Sequence, residues 1–288
     1  MKKNKKIALL PNVITAFGLS CGLFVIFKMN MTQLGEVNFQ VLSAVTGILL
    51  LAAFSDLLDG AVARAIKAES EFGGVFDALA DAISFGVAPS IVILKSLSVQ
   101  PGTHLSFLAT SAAMIFSLSG VLRLARFRVN SSVAKGNEDL EKDQLKHFTG
   151  LPIPAAAAAA VSLNLFLFSE DTLQLKVSHT YQIFILSFAL ILLGYCMISK
   201  WKFPSVKTLE IRVASFQTVF FTVIAAALIF YGILHHFALV FLVLSWGYVF
   251  IALILSIIRL VAGRKSKTLE DFEPEEDDLD DDPEGFLH

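Results

Sequence analysis

Eight apolar stretches run through the chain at 12–30, 41–63, 75–97, 104–126, 152–169, 182–199, 214–234 and 238–259. Each is close to the ~20 helical residues needed to cross about 30 Å of hydrocarbon. Lipid offers no partner to backbone N–H and C=O groups, so segments of this kind must satisfy them internally as helices. The expected fold is therefore all-α, a polytopic membrane helical bundle. Composition agrees: 55% of the 288 residues are hydrophobic, 26 are phenylalanine, and mean hydropathy is +0.69, too apolar for a soluble domain. Cys21 and Cys196 both fall inside predicted spans, which excludes a disulfide framework or a zinc centre.

Basic residues orient the bundle. Threaded from a cytoplasmic N-terminus, the cytoplasmic connections collect 20 of the 23 lysines and arginines, leaving Lys28, Lys95 and Lys176 outside. Both termini are thus expected in the cytoplasm, with the spans in a cell membrane of the bacterial inner-membrane type. Glu270 to Glu284 holds 11 of the 25 acidic residues and is expected to stay disordered and solvated. Without that tail the chain carries a net charge of +9. Such a surface suits anionic membrane lipids, and no feature points to nucleic acid.

Against this apolar background stand four aspartates, Asp56, Asp59, Asp77 and Asp81. A carboxylate is costly in a membrane helix and marks function there. Residues three or four apart share a helix face, so Asp56 and Asp59 project together from the end of span two, and Asp77 and Asp81 from the start of span three. A short polar connection, roughly 67–74, folds the two spans into a hairpin and brings the pairs together. Oxygen-only ligation without nearby His or Cys favours a hard cation, Mg²⁺ or Mn²⁺. Gly60, Ala63 and Gly73 on the same hairpin leave room for a ligand, and Arg64 supplies a fixed positive charge for phosphate.

The pattern Asp-x2-Asp-Gly-x2-Ala-Arg-x8-Gly-x3-Asp-x3-Asp, carried here by Asp56, Asp59, Gly60, Ala63, Arg64, Gly73, Asp77 and Asp81, resembles the motif of the CDP-alcohol phosphotransferase family at every position. The resemblance covers about residues 9–200. It implies a six-helix membrane enzyme, usually a homodimer, that displaces CMP from a CDP-linked donor by an alcohol hydroxyl, using two divalent ions. Asp56, Asp59 and Asp77 would be metal ligands, and Asp81, also near the metals, the base. Gly60, Ala63 and Gly73 would line the CDP pocket, with Arg64 at the diphosphate; Asn12, after Pro11 at the start of span one, either caps that helix or, as the resemblance implies, lies near the nucleotide. The division that follows is a basic N-terminus at 1–11, the CDP-alcohol phosphotransferase core at 12–200, two additional C-terminal transmembrane helices at 201–262 and the acidic tail at 263–288.

Three further segments narrow the acceptor: Ala82 to Pro89, Leu122 to Arg128 and Gly150 to Ala156. They resemble the membrane-embedded phosphatidylserine synthases within that family, which implies CDP-diacylglycerol and L-serine as substrates. Arg123 and Arg126, three apart, are candidate partners for the serine carboxylate or a phosphate; the alternative is that they and Arg128 are cytoplasmic anchors. Ser84 either touches the substrate or bonds back to its own helix. Choline, glycerol 3-phosphate or inositol phosphate would be sister acceptors. A phospholipase D-like mechanism needs His-x-Lys, which none of the six histidines provides. A cation transporter would place its acids near mid-bilayer in repeated halves, a pattern missing here.

Overall fold

A computed structural model describes residues 9–66, 70–134, 148–169, 172, 178–199, 202–203, 232 and 235–262. The helices are α1 (Leu10–Met31), α2 (Phe39–Ala65), α3 (Glu71–Asp81), α4 (Ala88–Leu97), α5 (His104–Ala134), α6 (Ile153–Leu167), α7 (His179–Ile198) and α8 (Phe237–Ala262). A π-helical turn, Ala82–Val87, joins α3 to α4. Among the described residues, six helical segments are long and apolar enough to cross a membrane, so this is a multi-pass membrane protein with the helical architecture expected. Of the eight expected spans, 214–234 lies almost wholly outside the described residues, as do 1–8, His147 and the tail at 263–288.

Local chemistry sets the helix ends. Pro11 sits in the first turn of α1, where its missing N–H costs nothing. The Asn38 side chain caps α2 by accepting from the Val41 N–H at 2.9 Å, and the Ser70 hydroxyl caps α3 by accepting from the Gly73 N–H at 3.0 Å. The α2–α3 connection is therefore shorter than expected, and Gly73 and Gly74 lie in the first turn of α3. Pro89 cannot donate a backbone hydrogen bond, and the chain accommodates it through the π turn just upstream, where the Ala88 N–H reaches Ile83 O.

Helix α6, expected to span the membrane at 152–169, has only 15 residues. It tolerates that length because protein surrounds it: α2, α4, α7, α8 and the π turn all pack on it. Ala156, Ala157, Ala159 and Ala160 in its alanine run are buried, and their small side chains allow this close approach. The entry to α6 is a strap. Gly150 adopts φ +78, and a Cβ there would collide with the Met197 carbonyl, so only glycine fits. Leu151 then donates its N–H to Cys196 O at 3.0 Å. A two-residue antiparallel ladder, β1 (Phe148–Thr149) with β2 (Lys202–Phe203), closes the same end.

Leu151, Ile153, Phe116, Leu190 and Leu193 centre one core; Val25, Met29, Leu42 and Leu165 centre a second under α1 and α2. Large side chains such as Phe17, Phe24, Phe54, Phe107 and Phe188 point outward. On a membrane bundle that outward layer faces acyl chains rather than water. Both cysteines are buried and free.

Candidate active site

The hairpin of α2 and α3 gathers the carboxylates at one end of the bundle. Oxygens of Asp56, Asp59 and Asp77 all lie within 4.8 Å of one another, a group that could hold a metal ion. Asp81 stands one turn further along α3, and the Asp56 carboxyl reaches those of both Asp77 and Asp81. Two full negative charges 4.8 Å apart repel by about 3 kcal/mol at an effective dielectric near 20. A divalent cation relieves that repulsion, and an all-oxygen donor set fits a hard one.

Helix α1 supports the cluster from behind. Thr15, a residue outside the aspartate motif, donates its hydroxyl to Asp59 Oδ2 at 2.5 Å; Asp59 is only 5% exposed. Ser55 on α2 donates to Ile14 O at 3.0 Å, tying the two helices together. Ser84 is buried on the π turn. Its hydroxyl donates to Gly18 O of α1 at 3.4 Å rather than to its own helix, and a Cβ at Gly22 would strike it. Asp56, Asp81 and Ser84 share a narrow inner pocket with Thr15 and Phe85.

Outside this pocket opens a cleft of about 570 Å³. Asn12, Gly60, Ala63, Arg64 and Gly73 all line it, together with Asp59 and Asp77. A Cβ on Gly73 would stand 2.9 Å from Asn12 Oδ1 and from the Ser70 hydroxyl, so the glycine keeps α1 and α3 close. Gly74 makes room in the same way for Arg128, whose guanidinium approaches Asp77 at 3.8 Å. Arg128 therefore stands in the cleft, where the sequence offered it only as an anchor.

Arg123 and Arg126 part company. Arg123 is 9% exposed and lies within electrostatic range of Asp81. Arg126 instead donates to Ile198 O at 3.1 Å, capping α7. Three residues apart on α5 did not resolve which neighbour each would meet. Thr15 had a sequence signal: it lies three residues after Asn12 and so shares its helix face.

The family model for CDP-alcohol phosphatidyltransferases matches residues 8–195. The chain is similar to the CDP-diacylglycerol–serine O-phosphatidyltransferase of Bacillus subtilis, 32% identical over 198 residues, covering 69% of this chain and 91% of that protein. It is 30% identical over 202 residues to the protein of that name from Helicobacter pylori, covering 70% and 74%. A third of that name, from Methanocaldococcus jannaschii, is 36% identical over 174 residues, covering 57% and 70%.

Proposed function

Because the chain belongs to the CDP-alcohol phosphatidyltransferase family, we propose that it transfers the phosphatidyl group of CDP-diacylglycerol to the hydroxyl of L-serine and releases CMP. The observation that carries this reading is the carboxylate triad of Asp56, Asp59 and Asp77 beside a cleft, with Asp81 set one turn deeper. Serine as the acceptor rests on the names of the relatives and on the buried Arg123 near Asp81.

In this reading the cleft takes the CDP moiety, with Asn12, Gly60, Ala63 and Gly73 against the nucleotide and Arg64 and Arg128 against the diphosphate. Asp56, Asp59 and Asp77, with Asp81 adjacent, would hold two divalent ions, Mg²⁺ or Mn²⁺. Bound there, such ions would neutralise the diphosphate and favour departure of the CMP oxygen. Asp81 takes the proton of the serine hydroxyl, whose oxygen forms a bond to the phosphorus bearing diacylglycerol while the bond from that phosphorus to the CMP oxygen breaks. Ser84, held on Gly18, forms the floor of the acceptor pocket. Arg123 meets the serine carboxylate, and Arg126 adds positive charge behind it.

The excess of lysine and arginine on that side of the membrane supports a cytoplasmic active site with both termini cytoplasmic, in a bacterial cell membrane. Family membership favours a homodimer. Purified protein given CDP-diacylglycerol and radiolabelled serine, choline, glycerol 3-phosphate or inositol phosphate in turn tests the assignment. Label is expected in lipid with serine alone; a lipid product with a rival alcohol and none with serine overturns it.

A further inference from the structure

Helix α8 follows the end of the family match, yet it packs along α6, inside the matched region. Trp246 Nε1 donates to Ala159 O of α6 at 2.9 Å, and the Ser245 and Ser162 hydroxyls pair at 2.6 Å. These pairs run in opposite chain directions, so α8 descends along α6 toward its Ile153 end. They fix its height and rotation together. Val249 and Ala252, both fully buried, continue the packed face. At the Ile153 end the α6 side chains press on Gly120 of α5, one turn from Arg123.

Tyr248 stands two residues beyond Trp246 in that direction. Tyr248 is half-buried against the core, within electrostatic range of the Arg123 guanidinium. Arg123, itself more than nine-tenths buried beside Asp81, has an Nε with no hydrogen-bond partner among the described residues. A buried donor on a charged group is costly to leave open, and an incoming anion satisfies it.

We propose that Tyr248 is an acceptor-positioning residue: with Arg123 it binds the carboxylate of the amino-acid alcohol and so holds the alcohol's hydroxyl beside Asp81. Helix α8 then forms one wall of the acceptor site. The guanidinium and the phenol are both donors, and a carboxylate offers two acceptor oxygens to match them. A cationic acceptor without a carboxylate would gain nothing from the pair and would face the charge of Arg123. The inference rests on the serine reading above.

The test uses the full-length protein in lipid vesicles, comparing wild type, Tyr248→Phe and Trp246→Phe. Tyr248→Phe keeps the ring and its packing but loses one hydrogen bond to a charged acceptor, so the KM for serine is expected to rise about tenfold or more. The KM for CDP-diacylglycerol and the thermal midpoint stay at wild-type values. Trp246→Phe breaks the bond to Ala159 that helps set the height of α8, and is expected to lower the midpoint and to raise the KM for serine while that for CDP-diacylglycerol stays unchanged. Serine should also protect wild type, and not Tyr248→Phe, against thermal unfolding, a readout free of turnover. An unchanged serine KM in Tyr248→Phe, or an equal rise in both KM values, overturns the assignment. Should wild type take another alcohol and not serine, the acceptor reading fails; Tyr248 is then judged by the same split measured with that alcohol.

Discussion

Thr15→Val removes one hydroxyl from behind the aspartate cluster while keeping the shape of the side chain. The lost bond is short, 2.5 Å, and it falls on a carboxylate that is nearly enclosed. A hydrogen bond to a charged group contributes about 1.5–3 kcal/mol, which corresponds to roughly 10- to 100-fold in a binding constant. Outer-shell partners of metal-ligating carboxylates have effects of about that size, because they orient the ligand oxygen. If Asp59 holds a divalent ion, the Mn²⁺ or Mg²⁺ concentration giving half-maximal CMP release should rise about 10- to 100-fold in Thr15→Val. The rate at saturating metal should stay close to wild type, and Thr15→Ser, which keeps the hydroxyl, should restore most of the affinity. The Thr15 hydroxyl also lies 3.1 Å from Pro11 O, with which it can share its one proton, so thermal midpoints of all three proteins separate a loosened α1 from a weakened metal site. Wild-type metal dependence in a folded Thr15→Val protein would show that the hydroxyl does not orient Asp59 toward a metal.

Other variants probe the same geometry. Asp81→Asn should lower turnover about 10²- to 10⁴-fold, the usual contribution of a general base, while CDP-diacylglycerol still binds; Asp56→Asn should weaken metal and donor binding together, as titrations of each would read. Gly74→Leu should push the Arg128 guanidinium away from Asp77 and raise the KM for CDP-diacylglycerol to the same extent as Arg128→Ala, with no added loss in the double variant. Gly150→Val forces a branched residue into φ +78 against the Met197 carbonyl and should destabilise the protein by about 1–3 kcal/mol or more, read as a lowered thermal midpoint.

The aspartate hairpin was legible because helix geometry alone puts residues three and four apart on one face, and apolar runs of ~20 residues leave the flanking backbone little choice. The π turn at Ala82–Val87 was not legible, since Glu71–Leu97 has the hydropathy of one continuous span. Its cause is partly local, at Pro89, and partly tertiary, in the packing of Ser84 on Gly18 and Gly22. The arginines of α5 show a different limit. Periodicity puts Arg123 and Arg126 on one face, but the end of α7 claims Arg126, Asp81 attracts Arg123, and the gap left by Gly74 admits Arg128. Each outcome depends on what a separate helix presents, which no spacing within α5 encodes. Helix α6 is three residues shorter than its apolar run: the strap takes Pro152 at one end, and at the other Ser169 and Thr172 turn back to donate to Phe166 O.

On the proposed function, the aspartate cluster drives phosphatidyl transfer from CDP-diacylglycerol to serine. The most direct measurement is CMP release by the purified protein in vesicles containing CDP-diacylglycerol, followed alongside the lipid product, with serine present or omitted and with divalent metal present or chelated. One phosphatidylserine formed per CMP released, only with serine and metal together, is the expected result. CMP release that persists under chelation, or that is indifferent to serine, would contradict it.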